Sequence, residues 1–302
     1  MAFRNIYICN SAKLNIKNEQ LVINTDAEYT VPLEDITTIV IENLQSTLTT
    51  YMLYKLSQHN IALIVCDERH LPVGILQPYS QHSRQLSVIH KQIQASKPLK
   101  NRLWQQVVQQ KIQNQGICLE LMGKCKQADY LYALANDVTS GDKGNKESIA
   151  ASFYFKNLYG KGFNRDQENV INGALNYGYA ILRGAVARAV ASYGLQPSLG
   201  IFHHSELNAF NLVDDFLEPL RPLVDLWVIQ NKEILEEELT TENKQCLVSL
   251  LGHDMLIDHA KHTIHNVADK MIKSYVSALQ QTTPYYSLLL PKLIRLQEHM
   301  YE

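Results

Sequence analysis

Hydrophobic positions come in short, partly alternating runs through the first quarter of the chain and then recur at helical spacing to its end. RNIYIC, QLVINT, YTVPL, ITTIVIE and IALIVCD are brief stretches of β-branched and aromatic residues separated by Asn, Lys, Asp and Glu clusters. That is the pattern of strands with one or both faces covered. One helix interrupts them. STLTTYMLYKLSQHN opens on a Ser/Thr cap and carries Leu48, Met52, Leu53 and Leu56 on one face. The β pattern ends at LPVGILQP, and the polar QPYSQHSRQ reads as a linker over 77–86. From residue 87 the pattern is helical. DQENVINGALNYGYAILRGAVARAVASYGL predicts a helix of about eight turns. Being apolar nearly all round, it belongs at the centre of a bundle. HAKHTIHNVADKMIKSYVSALQ and SLLLPKLIRLQEHM are read as the closing helices. The fold class is therefore α+β: a small β-rich domain over 1–76, then a larger all-α domain over 87–302.

Composition narrows the function classes. The 302 residues are 46% hydrophobic and 19% charged, ordinary for a globular chain. No basic, apolar leader opens it, and Arg183 and Arg188 break its most apolar helical stretch, so no membrane partner is expected. The five cysteines are scattered without a CxxC pair, which fits a reducing cytoplasm. Net charge is only −2, but it is unevenly spread. From Arg69 to Leu119 there is no acid and there are seven Lys or Arg, whereas 206–242 holds ten acids against Arg221 and Lys232. A basic face for phosphates with a separate acidic region fits this asymmetry; so do solvated helix faces.

Two places carry ligand chemistry. The polar loop TSGDKGNK leads into a helix opened by Glu147, amid five cations between Lys143 and Arg165. An acid there complements the helix dipole whatever else it does. The second place is GIFHHSELNAFNLVDDFLEPLRPLVD. Asp215 and Glu218, three apart, share a helix face that Asn211 or Asp214 can cap. Pro219 and Pro222 stiffen it. One of His203 and His204 points inward, since neighbours diverge. Carboxylates with one imidazole suit Mg²⁺ or Mn²⁺ better than zinc. His253, His259, His262 and His265 are read as helical surface histidines, since no HExxH pattern accompanies them. No phosphate-binding GxxxxGK(S/T) loop, dinucleotide fingerprint or GxSxG elbow occurs.

ESIAASFYF, INGALNYGYAILRG and GIFHHSELNAFNLVDDFLEPLRPLVD, in this order behind a β-rich segment, together resemble the CRISPR-associated integrase family, the adaptation nuclease that inserts new spacers into a repeat array. The resemblance spans essentially the whole chain, and FNLVDDFLEP is similar to the branch that accompanies the RNA-guided effector nuclease of type II systems. It implies metal ligation by Glu147, His203 and Glu218, with Asp215 at the site's edge and His204 and Asp214 outside it. It also implies transesterification, with the 3′-OH of a prespacer strand as nucleophile and Mg²⁺ or Mn²⁺ as cofactor. Double-stranded DNA, a homodimer paired through the β domain and a small second adaptation protein are the implied partners. The acid-free 84–111 stretch, with Arg84, Lys91, Lys97, Lys100 and Arg102, and the cluster Lys146, Lys156, Lys161, Arg165 and Arg221 are candidates for backbone contacts. A DNA-binding adaptor and a purely hydrolytic nuclease are the competing readings.

Overall fold

The computed structural model describes residues 4–76, 82–235, 237–280 and 287–300. Residues 77–81 of the expected linker lie outside them. Eight strands come first: β1 (Arg4–Ile8), β2 (Lys13–Lys17), β3 (Gln20–Asn24), β4 (Glu28–Pro32), β5 (Ile36–Ile41), β6 (Thr47–Leu48), β7 (Ala62–Cys66) and β8 (Pro72–Leu76), with α1 (Thr50–Gln58) before β7. They form two four-stranded sheets, ordered β1-β5-β7-β8 and β4-β3-β2-β6. Asn18 and Glu19, with φ of 52° and 57°, make the two-residue turn that joins β2 to β3. Thr49 caps α1 by accepting the Met52 amide at 3.1 Å, as its sequence predicts.

Strand periodicity explains how the β part meets the rest. All six residues of β5 are buried, the continuous apolar run of a strand covered on both faces. Ile39, Ile41 and Leu63 point into the core of the β part with Met52 and Leu56. Val40, Ile64 and Cys66, one residue out of phase, point into the helical core. One sheet is thus a wall shared by two cores.

The helical part contains α2 (Gln85–Gln94), α3 (Lys97–Leu121), α4 (Cys125–Asn136), α5 (Lys146–Tyr159), α6 (Val170–Ser192), α7 (Asn211–Leu217), α8 (Arg221–Gln230) and α9 (Thr241–Ser249). It closes with the hairpin β9 (Asp254–Ile257) and β10 (Ala260–Thr263), then α10 (Ile264–Gln280). The α+β class holds, and among the described residues the hairpin and the segment after α10 depart from an all-α second part. The central helix is α6, shorter than predicted because Asn169 caps it through the Asn172 amide at 2.9 Å. The Asn172 side chain then donates to the carbonyls of Asn164 and Gln167 at 2.8 and 2.7 Å, fixing the preceding residues as turns.

Three C-terminal expectations change. His259 lies in the hairpin turn with φ of 63°, and His262 is on β10, so neither is helical. His265 is buried, and its Nε2 lies 3.3 Å from Thr38 Oγ1 and 3.1 Å from Asn5 Oδ1, tying α10 to the sheet. Burial holds its pKa well below the usual histidine value. Residues 287–300 form an extended strap rather than a helix. Leu256 and Lys292 exchange backbone bonds of 3.0 and 2.8 Å, and Asp254 N donates to Gln297 O at 3.0 Å. Tertiary hydrogen bonds override the helical pattern there.

A Cβ at Gly178 of α6 would stand 2.5 Å from Val224 Cγ1 and 3.1 Å from its Cγ2, which sets how closely α8 approaches. Val is stiff at χ1, so the contact cannot relax by rotation. Gly178→Ala is therefore expected to lower stability by about 1–2 kcal/mol, the overpacking strain exceeding alanine's helix-propensity gain of about 1 kcal/mol. Urea denaturation measures this, and a stabilised variant would contradict it.

Candidate functional site

The site assembles where α3, the start of α5 and the turn between α7 and α8 meet. Asp142 prepares the first carboxylate. Its Oδ1 accepts the Lys146 amide at 2.9 Å and its Oδ2 the Glu147 amide at 3.0 Å, satisfying the open N–H groups of α5. Glu147 is thereby fixed in the first helical turn, and its Oε1 receives Lys111 Nζ at 2.7 Å. Lys111 is a buried lysine of α3, only 9% exposed. The same ammonium lies 2.5 Å from Glu218 Oε2, and Arg221 Nε lies 3.2 Å from Glu218 Oε1. Two carboxylates from distant segments share one cation.

Glu218 occupies a 3₁₀ turn over Glu218–Leu220, with φ −53° and ψ −48°. The restriction that Pro219 places on Glu218 would favour extended backbone. The observed angles are helical all the same, and both prolines sit in first turns, where their missing N–H costs nothing. The side chain of Asn114 also donates to the Pro219 carbonyl at 2.7 Å. Burial by itself would raise the Glu218 pKa, but the Arg221 and Lys111 charges outweigh it and draw it down to about 2. Lys111 answers in kind: burial opposes its charge, the two carboxylates overcome that, and its pKa is raised.

Asp215 stands behind His203 rather than at the site's edge. It is fully buried and accepts four hydrogen bonds. These come from the amides of Ile201 at 2.5 Å, Phe202 at 3.2 Å and His203 at 3.2 Å, and from His203 Nδ1 at 2.7 Å. The Asp215 bond raises the His203 pKa against the opposing effect of burial, and Glu218 and Glu147 add to the rise. Engaging Nδ1 leaves Nε2 as the nitrogen able to meet a ligand. The G-x-x-H spacing also has a cause: a Cβ on Gly200 would stand 2.2 Å from the His203 carbonyl oxygen.

The neighbouring candidates have other tasks. His204 is exposed, its Nδ1 2.9 Å from the Phe202 carbonyl. Asp214 accepts Arg183 Nε and Nη2 at 2.7 and 2.8 Å and is no cap. Asn211 does not cap α7 either; its amide group donates to the carbonyls of Ser198 and Ser205 at 3.1 and 2.9 Å, closing the loop that holds His203.

Among the proposed DNA contacts, Arg84, Lys97, Arg102, Lys156 and Lys161 are exposed, while Lys91, Lys100 and Lys146 are half-buried. Lys146 Nζ approaches Asp137 at 4.0 Å. Two depart from the surface role. Arg221 is paired to Glu218 and stacks over the Tyr179 ring at 4.8 Å. Arg165 binds the side-chain oxygens of Asn172 and Asn176 at 2.6 and 2.7 Å. Lys111, read as part of the basic stretch, is internal. Its signal was a lone cation in VVQQKIQ, on the side of α3 that also buries Val107, Val108 and Ile112.

Among the described residues no three His, Cys, Asp or Glu side chains stand close enough to hold a metal ion as arranged. Between Glu147 and Glu218 the ammonium of Lys111 supplies the positive charge. Two carboxylates converging on one cation, beside an imidazole with a free Nε2, are donors of the type that fits a hard divalent ion.

Residues 6–261 match the family model described as CRISPR associated protein Cas1. The chain belongs to the Cas1 family. A CRISPR-associated endonuclease Cas1 of Neisseria meningitidis is 44% identical over 305 residues, covering 100% of both chains. A second, from Francisella tularensis subsp. novicida, is 27% identical over 84% of this chain and 86% of its own. A Cas1 protein from Thermotoga maritima shares the fold with a TM-score of 0.71 at 18% identity, over 91% of this chain and 97% of that one. A casposase bound to its integration product does so with a TM-score of 0.74 at 19% identity, over 92% and 90%. The matched residues include Glu147, His203 and Glu218.

Two predictions follow from the geometry. The folded pKa of Glu218 is depressed, so its contribution to stability is complete above the usual carboxylate value of 4.5 and disappears as pH falls toward about 2. Glu218→Gln leaves Lys111 and Arg221 short of a counter-charge. It should cost about 3–5 kcal/mol near neutrality and flatten the acid limb of a urea-unfolding pH series; an unchanged acid limb would contradict the pairing. Asp215→Asn should bring the His203 pKa down toward 6.5, read by NMR titration of the ring.

Proposed function

We propose that this chain is a metal-dependent DNA integrase and endonuclease of CRISPR adaptation, joining prespacer 3′-OH ends to a repeat array by transesterification. The observation that carries the reading is the convergence of Glu147 and Glu218 on one buried cation beside an imidazole fixed by Asp215. Family membership supports it, as do the endonuclease relatives and a structural neighbour bound to an integration product.

Glu147, Glu218 and His203 Nε2 would hold Mg²⁺ or Mn²⁺. Bound there, such an ion lowers the pKa of the attacking hydroxyl and neutralises charge growing on the attacked phosphate. Asp215 keeps the proton on His203 Nδ1, so that Nε2 faces the ligand. Arg221 and Lys111 keep Glu218 ionised in a buried position. One phosphodiester forms as another breaks, so neither ATP nor a protein nucleophile is needed. The buried thiols agree with this, Cys66 being pushed up to about 12 by burial.

For partners, the exposed cations Arg84, Lys97, Arg102, Lys156 and Lys161 suit the DNA backbone. A neighbouring structure is described as a Cas6-RT-Cas1–Cas2 complex, of which this chain resembles 35% with a TM-score of 0.68 at 17% identity, and it supports a small Cas2-like partner. Edge strands β4 and β8, with Tyr29 and Val73 exposed, offer surfaces for a homodimer. A cytoplasmic location and the company of a type II effector nuclease belong to the same reading. No helix among the described residues is long and apolar enough to cross a membrane.

The test changes Glu147→Gln, His203→Ala and Glu218→Gln separately and follows joining in Mg²⁺ and Mn²⁺. Each should lose strand transfer by more than the 10–100-fold typical of removing a ligand's supporting partner, while DNA binding persists. Full joining by all three would overturn the site. DNA with a blocked 3′ end should give no joined product; undiminished strand cleavage without joining would make water the nucleophile and the protein a hydrolytic nuclease. Binding without chemistry in the wild type would leave only an adaptor.

A further inference from the structure

Phe202, immediately before His203, is 45% exposed, an unusual position for a phenylalanine beside a buried ionic site. One face of its ring is covered. It lies parallel to Trp104 of α3, with centroids 4.4 Å apart and planes 1° from parallel. Trp104 itself is only 1% exposed, and the His203 ring stands edge-on to both, 5.6 Å from Trp104 and 5.7 Å from Phe202. The exposure of Phe202 therefore lies on the side away from Trp104. The result is a flat apolar surface, backed by a rigid indole, open to solvent and in contact with a proposed ligand residue.

Charge runs along the same line. Lys97, Lys100, Trp104 and Lys111 fall at i, i+3, i+7 and i+14 on α3, one helix face. Lys97 is exposed, and Lys100 reaches the Gly200 carbonyl at 3.5 Å, so its cation borders the loop that carries Phe202. Gln92 of α2 also holds that loop, donating to the carbonyls of Gln196 and Leu199 at 2.9 and 2.7 Å. At 1.5 Å per residue the face runs about 21 Å from exposed cation to the carboxylate-bound Lys111. Cations, then an aromatic plane, then the ionic site is an order that suits one nucleic-acid strand: phosphates on the lysines, a base on the ring, the attacked phosphate beyond.

We propose that Phe202, backed by Trp104, is a stacking platform for the nucleobase adjacent to the attacked phosphate. This rests on the DNA reading of the site. Any base has a π face, so the platform positions the strand without selecting its sequence. It acts on binding rather than on the chemical step.

The experiment places 2-aminopurine, in turn, at each position flanking the attacked phosphate in DNA with a blocked 3′ end. Fluorescence is read on binding to the wild type and to Phe202→Ala, Phe202→Leu and Phe202→Tyr, each checked for an unchanged thermal unfolding midpoint. With an unblocked end the same proteins are assayed for joining. The wild type should quench the probe at one flanking position, and the Tyr variant should quench it equally. The Ala and Leu variants should lose that quench, bind DNA about fivefold or more weakly, and show a raised KM with kcat little changed. Leu separates stacking from packing, because it still covers Trp104. Quenching that survives in Phe202→Ala, or wild-type binding by Phe202→Leu, would overturn the platform while leaving the integrase reading intact. A wild type that neither binds nor joins DNA would overturn both.

Discussion

A lysine ammonium buried between two carboxylates is the constraint on which the rest of this molecule turns. Moving ions out of water costs several kcal/mol each, and their attraction offsets that cost only in good geometry. Lys111 comes from α3, Glu147 from the start of α5 and Glu218 from the α7–α8 turn, so the geometry exists only once three elements have packed. Arg221 extends the arrangement to Tyr179, whose hydroxyl donates to Asp225, a carboxyl that burial pushes up to about 6. Removing any one charge strands another. The core around these groups is therefore specified by electrostatics as well as by volume.

Helix α3 carries this constraint to the rest of the fold. Its inner face holds Trp104, then Lys111 two turns on and Asn114 one turn further, facing the His203 loop, the carboxylates and the C-terminal strap. Asn114 donates to the carbonyls of Pro219 and Pro291 at 2.7 and 2.8 Å and accepts the Leu293 amide at 3.0 Å. One side chain thus holds both the turn that presents Glu218 and a segment more than seventy residues further along the chain. The shared sheet makes a second link, with Gly184 of α6 close enough to Ile64 that a Cβ would stand 2.5 Å from it. The β part and the helical part thus share one packed interior.

What could be read from sequence was periodic or local. Strand alternation, the Thr49 cap and the centrality of α6 follow from spacing and side-chain chemistry within a few residues. Glu147, His203 and Glu218 came from the resemblance to the integrase family, and the structure brings Glu147 and Glu218 onto one cation with His203 beside them. What was not legible depended on partners far away in the chain. Lys111 looked like one more cation in an acid-free stretch, because its carboxylates lie 36 and 107 residues later. Residues 287–300 kept a helical pattern that backbone bonds to the hairpin and to Asn114 override. Asp215 looked like a peripheral acid until the loop amides folded onto it.

His203 shows why burial, rather than motif, decides roles in this stretch. Asp214 and Asp215 are adjacent acids on one short helix, 211–217, and either could have faced a metal by residue type alone. Asp214 meets the guanidinium of Arg183 on the outer side. Asp215 turns inward, where three backbone amides and one ring nitrogen consume its lone pairs. A carboxylate so occupied has little capacity left for an ion; its strength is spent on the loop. That loop in turn fixes the imidazole rotation, the tautomer and the exposed ring of Phe202 together. The loop that orients the imidazole is therefore also the loop that carries the exposed aromatic ring.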